Sequence, residues 1–333
     1  MRISIAMTSY NSERFVGEQL ESFAKQTRKP DEVVVCDDRS TDRTPEVLHE
    51  FAKNSPFPVR VVSNERQLGV TQNFDQAVRL CTGDLIFLSD HDDYWLPDKL
   101  ALHESVHQSD PEVGLVISNA EICDEKLNSL GYTLFTNKRL GAKRLAAIDR
   151  GGFFDMSIRS PRVNGCTMSF TSGLREVALP LSSTTSHDEW LALILSVMTQ
   201  TRCIEKPLMQ YRTHATQFCG LRPDLKGSAT EARAKEGEVE RFRLATEALT
   251  RYFDDALHRV RNFEDRLYRK DATKRLEQKI AHLEARSKIG GAHPMRFALL
   301  AKEMLNGRYL KYSTKGSLVD DVKRCCRMDS MRA

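Results

Sequence analysis

Short apolar runs and polar, helix-spaced stretches alternate through the first hundred residues. Ile3–Met7, Val33–Cys36, Val59–Val62 and Leu85–Leu88 are short, mostly apolar runs, which predicts strands buried on both faces. Between them Ser12–Gln26, Thr44–Lys53 and Thr71–Leu80 predict amphipathic helices. Ser12 is placed to cap the first and Asp42 or Thr44 the second, with Pro45 at an early helical position. Strands and helices in strict alternation predict an α/β fold: a mostly parallel sheet with helices on both faces. Ligands of such sheets gather at the carboxyl ends of the strands.

The pattern loosens after Leu100. Val113–Ser118 and Cys166–Phe170 predict further strands, residues 131–161 a loop-rich stretch, and Asp188–Met198 a strongly apolar helix. Near Gly220 the composition changes. From Glu231 to Arg286 the chain is charged, and Leu244, Leu249, Tyr252, Phe253, Leu257, Val260, Phe263 and Leu267 step by threes and fours. That stripe predicts the packed face of a helical hairpin, closed by Gly290, Gly291 and Pro294. Two domains follow: residues 1–218, and a basic, α-helical C-terminal extension over residues 219–333.

Charge supports the division. Residues 1–218 hold 24 basic and 29 acidic side chains, and residues 219–333 hold 26 and 17. The overall net charge of +4 is too small to point to nucleic acid. Lys315, Lys323, Arg324, Arg327 and Arg332 crowd the tail around Cys325 and Cys326. Two readings of that tail stay open, peripheral contact with an anionic membrane and a solvated helical surface. The eight cysteines are scattered without zinc spacing, which suits a reducing compartment. The N-terminus turns polar too soon for a signal peptide, and no apolar stretch approaches about 18 residues. The expectation is a cytoplasmic protein, soluble or peripheral at the inner face of the cell membrane.

Chemistry concentrates at predicted strand ends. The apolar run Leu85–Leu88 leads through Ser89 into Asp90-His91-Asp92-Asp93. Crowded carboxylates repel one another, and a divalent cation with oxygen ligands offsets that repulsion. A solvated acidic turn is the plainer reading of a lone D-x-D, and the position after a buried strand argues against it. Likewise Val33–Cys36 ends in Asp37-Asp38, followed by Arg39-Ser40-Thr41-Asp42. Capping accounts in part for Asp42 and Thr44 but not for paired acids at a strand mouth, which can accept hydrogen bonds from a nucleoside. Thr8-Ser9-Tyr10-Asn11 after the first strand suits a phosphate or a base edge, though taken alone a capped turn is the stronger reading.

In this order the motifs resemble those of family 2 glycosyltransferases of the GT-A, Rossmann-like fold. The series runs Thr8-Ser9-Tyr10-Asn11, Asp37-Asp38, Asn64 with Gly69 and Asn73, then Asp90-His91-Asp92-Asp93. It continues through Asn164-Gly165-Cys166-Thr167, Ser186-His187-Asp188-Glu189 and Gln210-Tyr211-Arg212-Thr213-His214. The chain is most similar to bacterial rhamnosyltransferase-like enzymes of surface polysaccharide assembly, whose C-terminus the segment 307–317 also resembles.

The resemblance implies roles. Thr8, Ser9, Tyr10, Asp37, Asp38, Asn64, Asn73 and Asp90 would bind the nucleotide-sugar, dTDP-rhamnose or a UDP-hexose. Asp92 and Asp93, with His214 from a loop, would hold Mg2+ or Mn2+. Asp188 would be the base that deprotonates a glycan or lipid-linked acceptor hydroxyl, giving inversion. The family often has Glu-Asp where this chain has His187-Asp188.

Other signals are set aside. His103 and His107 share a helix face without a third ligand and read as solvated; Trp95 and Trp190 follow acidic clusters and suit either sugar stacking or packing. There is no G-x-x-x-x-G-K-[ST], G-x-G-x-x-G or H-E-x-x-H. The rivals to a transferase are a sugar nucleotidyltransferase and a catalytically inactive sugar-binding relative.

Overall fold

A computed structural model describes residues 1–160, 163–217, 238–289, 295–314 and 316–330; the side chains of 238–240 and 326–330 lie outside the description. Gly290, Gly291, Pro294, Lys315 and Arg332 fall outside the described residues, as do the side chains of Cys326 and Arg327. By their contacts the described residues form two units, 1–153 with 163–217 and 154–160 with those beyond 237.

The first unit is built on the predicted strands. These are β1 (Ile3–Ser9), β2 (Glu32–Asp37), β3 (Val59–Ser63) and β4 (Leu85–Ser89), with α1 (Val16–Ala24), α2 (Thr44–Asn54) and α3 (Val70–Leu80) between them. They lie in parallel in the order β3-β2-β1-β4. Register brings their ends level: Ser9 pairs with Asp37, Asp37 with Ser63, and Met7 with Ser89. β1, β2 and β4 are buried along nearly their whole length. β3 is at the sheet edge and only half-buried, so it is not the doubly covered strand its sequence predicted.

Beyond β4 the sheet is mixed. β5 (Tyr94–Trp95) is followed by α4 (Lys99–Ser109), β6 (Val113–Cys123), β7 (Ser129–Thr133), α5 (Leu134–Asn137), α6 (Ala142–Ala147) and α7 (Phe153–Ser157). Then come β8 (Met168–Thr171), α8 (Arg175–Ala178), α9 (His187–Met198) and β9 (Gln200–Arg212). β8 runs antiparallel to both β4 and β6, β9 is parallel to β6, and β5 and β7 add antiparallel edges. The stretch 131–161 is largely helical, not loop-rich: each helix is under seven residues, too short for a periodic signal.

Ser12 does not cap α1 through its side chain. Its carbonyl accepts from the Phe15 and Val16 amides, and its own amide donates to Thr44 Oγ1 at 2.7 Å. Trp95 and Trp190 are buried packing residues rather than sugar platforms. His103 and His107 are buried too, not solvated, and both converge on Ser169 Oγ of β8, at 2.8 and 2.9 Å.

The second unit contains α10 (Glu238–Arg261), α11 (Ala272–Ile289), α12 (Arg296–Leu305), α13 (Arg308–Tyr312) and α14 (Ser317–Ser330). α10 and α11 form the expected hairpin, burying Tyr252, Phe253, Leu257, Val260 and Leu267, while Leu244 and Leu249 are exposed. Polar groups share this core. His282 lies between Glu303 and Ser313, at 2.6 and 2.7 Å, and buried Asp321 accepts from Arg286, Tyr309 and Arg324. No helix among the described residues is long and apolar enough to cross a membrane.

Ser169→Ala would leave two buried imidazoles without their shared partner. It is expected to destabilise the first unit by about 1–3 kcal/mol, read as a lower urea midpoint at unchanged slope.

Candidate active site

Two clusters form along the carboxyl edge of the sheet. At the mouths of β1 and β2, Asp37 accepts from Ser9 Oγ at 2.9 Å, from the Ser40 amide at 2.9 Å and from Ser40 Oγ at 2.6 Å. Asp38 accepts from Asn64 Nδ2 at 2.8 Å and from the Leu68 and Gly69 amides at 2.7 and 2.8 Å. Gly69 has φ +80°, a conformation that side chains disfavour. Asn64 also donates to Asn73, whose own amide donates to the Cys36 carbonyl. Buried Asp37 and Asp38 therefore fold the loops that rim this edge. Thr8 is buried and its carbonyl lies 3.3 Å from His91 Nδ1, while Tyr10 projects outward at 42 % exposure.

The second cluster is where β4 gives way to β5. Asp90 is partly exposed. Burial, then the charges of Asp92 and Asp188, push its carboxyl from the ordinary 3.8 up to about 7. Asp93 is buried and raised well above the usual range by burial and by Asp92 and Asp90. Its Oδ1 accepts from the Arg212 amide, and Oδ2 is buried without a hydrogen-bond partner. Burial opposes ionisation of Asp92 as well. There the hydrogen bond with His214, at 2.9 Å between Nε2 and Oδ2, and the nearby His91 outweigh it, holding Asp92 below the usual value.

The structure thus divides the three residues expected to hold a metal, Asp92, Asp93 and His214. Asp92 faces His214, whereas ligand atoms of Asp90, Asp93 and Cys166 lie within 4.8 Å of one another. Carboxylates crowded enough to raise one another's pKa, with an unpartnered oxygen among them, fit a hard divalent cation. The thiol fits less well, because burial and the two aspartates keep Cys166 protonated.

Two cations that sequence reading left without a role support the cluster. Lys99 is fully buried; its ammonium donates to the Cys166 carbonyl at 2.5 Å and lies 4.1 Å from the Trp95 ring. Burial lowers its pKa to about 8. Arg212 is also buried: it donates to the Asp92 carbonyl at 2.7 Å, pairs with Glu18 of α1 and lies over Phe15. Lys99 had no signal beyond its place in the first turn of α4, and Arg212 only its place in the motif before His214.

Asp188 opens α9. It accepts from Ser186 Oγ at 2.5 Å and from the Glu189 amide at 2.9 Å. Beside it His187 is buried with neither ring nitrogen hydrogen-bonded, stacked on Phe74 at 4.1 Å between ring centres. Burial keeps this imidazole neutral. A Cβ on Gly165 would stand 2.4 Å from its Nε2, so glycine there leaves room for the ring.

Residues 4–162 match the family model described as "Glycosyl transferase family 2". An uncharacterised protein of Mycobacterium tuberculosis (strain ATCC 25618 / H37Rv) is 38% identical over 109 residues, 32% of this chain and 31% of that one. The Escherichia coli protein WfgD, named as a UDP-Glc:alpha-D-GlcNAc-diphosphoundecaprenol beta-1,3-glucosyltransferase, is 33% identical over 104 residues, 31% of this chain and 40% of its own. The aligned stretches thus cover less than half of either relative. Among solved structures, the mannosyltransferase PcManGT from Pyrobaculum calidifontis, in complex with GDP-Man and Mn2+, superposes with a TM-score of 0.53 at 18% identity, covering 97% of this chain and 84% of that one. At that identity the likeness is one of fold.

The raised pKa of Asp90 has a definite sign. Below about pH 4 the carboxyl is neutral in both folded and unfolded chains. As pH rises from 3.8 towards 7 only the unfolded chain ionises it freely, so stability is lost over that window and stays level above it. In excess chelator, Asp90→Asn should gain over the native protein between those limits and keep a constant advantage at higher pH. Urea midpoints measured at successive pH values check this.

Proposed function

We propose that this chain, whose residues 4–162 are a family 2 glycosyltransferase domain of the GT-A fold, moves a sugar from a nucleoside-diphosphate-sugar to a hydroxyl of a glycan or lipid-linked acceptor in cell-surface polysaccharide biosynthesis. The observation that carries the reading is the convergence of Asp90, Asp92, Asp93 and Asp188 at the end of β4. A sugar nucleotidyltransferase would also use a metal and carboxylates. The motifs around Asp188 and His214, which resemble those of sugar transferases, favour sugar transfer.

The edge made by Thr8, Ser9, Tyr10, Asp37 and Asp38, with the loop posts Asn64 and Asn73, would receive the nucleoside, and Asp90 the ribose region. Asp92, Asp93 and His214 would hold Mg2+ or Mn2+, with Asp90 and Cys166 at hand. Such an ion supplies charge stabilisation for the departing nucleoside diphosphate. Asp188 would take the acceptor proton, because a sugar hydroxyl is a poor nucleophile at neutral pH. One carboxylate acting opposite the leaving group gives inversion in a single displacement. His187, neutral and buried, adds no charge beside that base. The name of WfgD cites UDP-Glc, which favours a UDP-hexose over dTDP-rhamnose as the first donor to test.

Release of nucleoside diphosphate from a panel of nucleotide-sugars, with Mn2+ and with chelator, tests the reading. Turnover with one donor, lost in chelator and in Asp92→Ala, is expected; undiminished turnover of that variant in chelator would remove the metal assignment. Asp188→Asn should lower kcat by roughly 10²-fold or more while donor affinity stays within error. Parallel losses in affinity and turnover would instead give Asp188 a binding role.

A further inference from the structure

Helix α12 is amphipathic in the reverse sense. Its inward positions are Arg296, Leu300 and Glu303, all buried, whereas Phe297, Ala298, Ala301, Met304 and Leu305 face outward. These outward positions follow the i, i+1, i+4, i+7, i+8 spacing of one continuous helix face. Leu305 is 88 % exposed, and Leu310 of α13 is 80 % exposed. Of the thirteen large apolar side chains that stand exposed among the described residues, seven fall between residues 295 and 322. Concentration on that scale marks an interaction surface, whereas scattered exposed leucines do not.

Charge says what covers it. Two of the three acids between residues 295 and 325 are withdrawn from the surface. Glu303 is buried against His282 and Arg308, and Asp321 against Arg286, Arg324 and Tyr309. Lys302 of α12, Lys311 of α13 and Lys323 of α14 remain exposed, with Asp320 the one exposed acid of that stretch. Exposed apolar side chains on a segment whose exposed charge is mainly lysine complement a surface that is anionic outside and hydrocarbon inside.

We propose that the outer face of α12, with Leu310, is a docking surface for an anionic lipid bilayer. Its leucines, methionine and phenylalanine enter the boundary between headgroups and acyl chains, and Lys302, Lys311 and Lys323 lie on acidic headgroups. The inference concerns the second unit alone and stands or falls independently of the sugar-transfer reading.

Co-sedimentation of the full chain with vesicles tests it, using phosphatidylcholine alone and phosphatidylcholine with about 30 % phosphatidylglycerol. Binding is expected only to the anionic vesicles and should weaken as salt rises. The double variant L305S/L310S should lose at least about tenfold in vesicle affinity. Because both side chains are exposed, its circular dichroism and urea midpoint should match the native protein. K302E/K311E should lose anionic binding while keeping the apolar face. Absence of binding to anionic vesicles at low salt, or native binding by the double-serine variant, would overturn the proposal. So would sedimentation as a dimer that L305S/L310S converts to monomer without any vesicle binding, which would assign the face to a second copy of the chain.

Discussion

Repulsion among Asp90, Asp92, Asp93 and Asp188 is the constraint around which the first unit is arranged. Like charges crowded into a partly buried mouth oppose folding unless they are neutralised, paired or protonated. Each remedy is present. Asp92 stays ionised against His214, while Asp90 and Asp93 hold their protons to much higher pH. Lys99 is buried close enough to both for its charge to be felt, at the cost of a lowered pKa of its own. A site left in this state is poised for a divalent cation, which would replace protons on the same oxygens.

The acids at the mouths of β1 and β2 have a different task. Asp37 and Asp38 take hydrogen bonds from backbone and side chains of the loops that follow their strand and β3. Rigid posts of this kind make a loop rim reproducible. Arg212 ties the Asp92 carbonyl to Glu18 of α1. Acid placement in this unit therefore has two physical purposes, architecture on one side and charge concentration on the other.

In the second unit an ordinary apolar core coexists with one helix, α12, that keeps much of its apolar surface outside. Helices α11, α12 and α14 bury His282, Glu303, Arg286 and Asp321 in mutually satisfied pairs, and leave leucine, methionine and phenylalanine outside. A buried ion network contributes little net stability once desolvation is counted. Its effect here is on the surface, which it leaves basic by drawing two acids inward.

Much of the first unit was legible in residue order. β1 to β4 and α1 to α3 are local: branched apolar runs, helical spacing and the acids just past each strand define them without reference to the rest of the chain. The family motifs placed Asp37, Asp38, Asp90 and Asp188 at strand and helix ends for the same reason. What the chain does not write locally is partnership across long separations. The paired histidines of α4 look solvent-facing in sequence, and they are buried against Ser169 of β8, 66 and 62 residues later; Lys99 likewise finds its partner far along the chain, at the Cys166 carbonyl. The antiparallel insertion of β8, the edge position of β3 and the division of Asp92 and His214 from Asp90, Asp93 and Cys166 likewise depend on which strands become neighbours. Sequence by itself determined the strands, the acids and their order; tertiary structure decided which charges meet, because burial and distance, which set their energies, exist only in the folded chain.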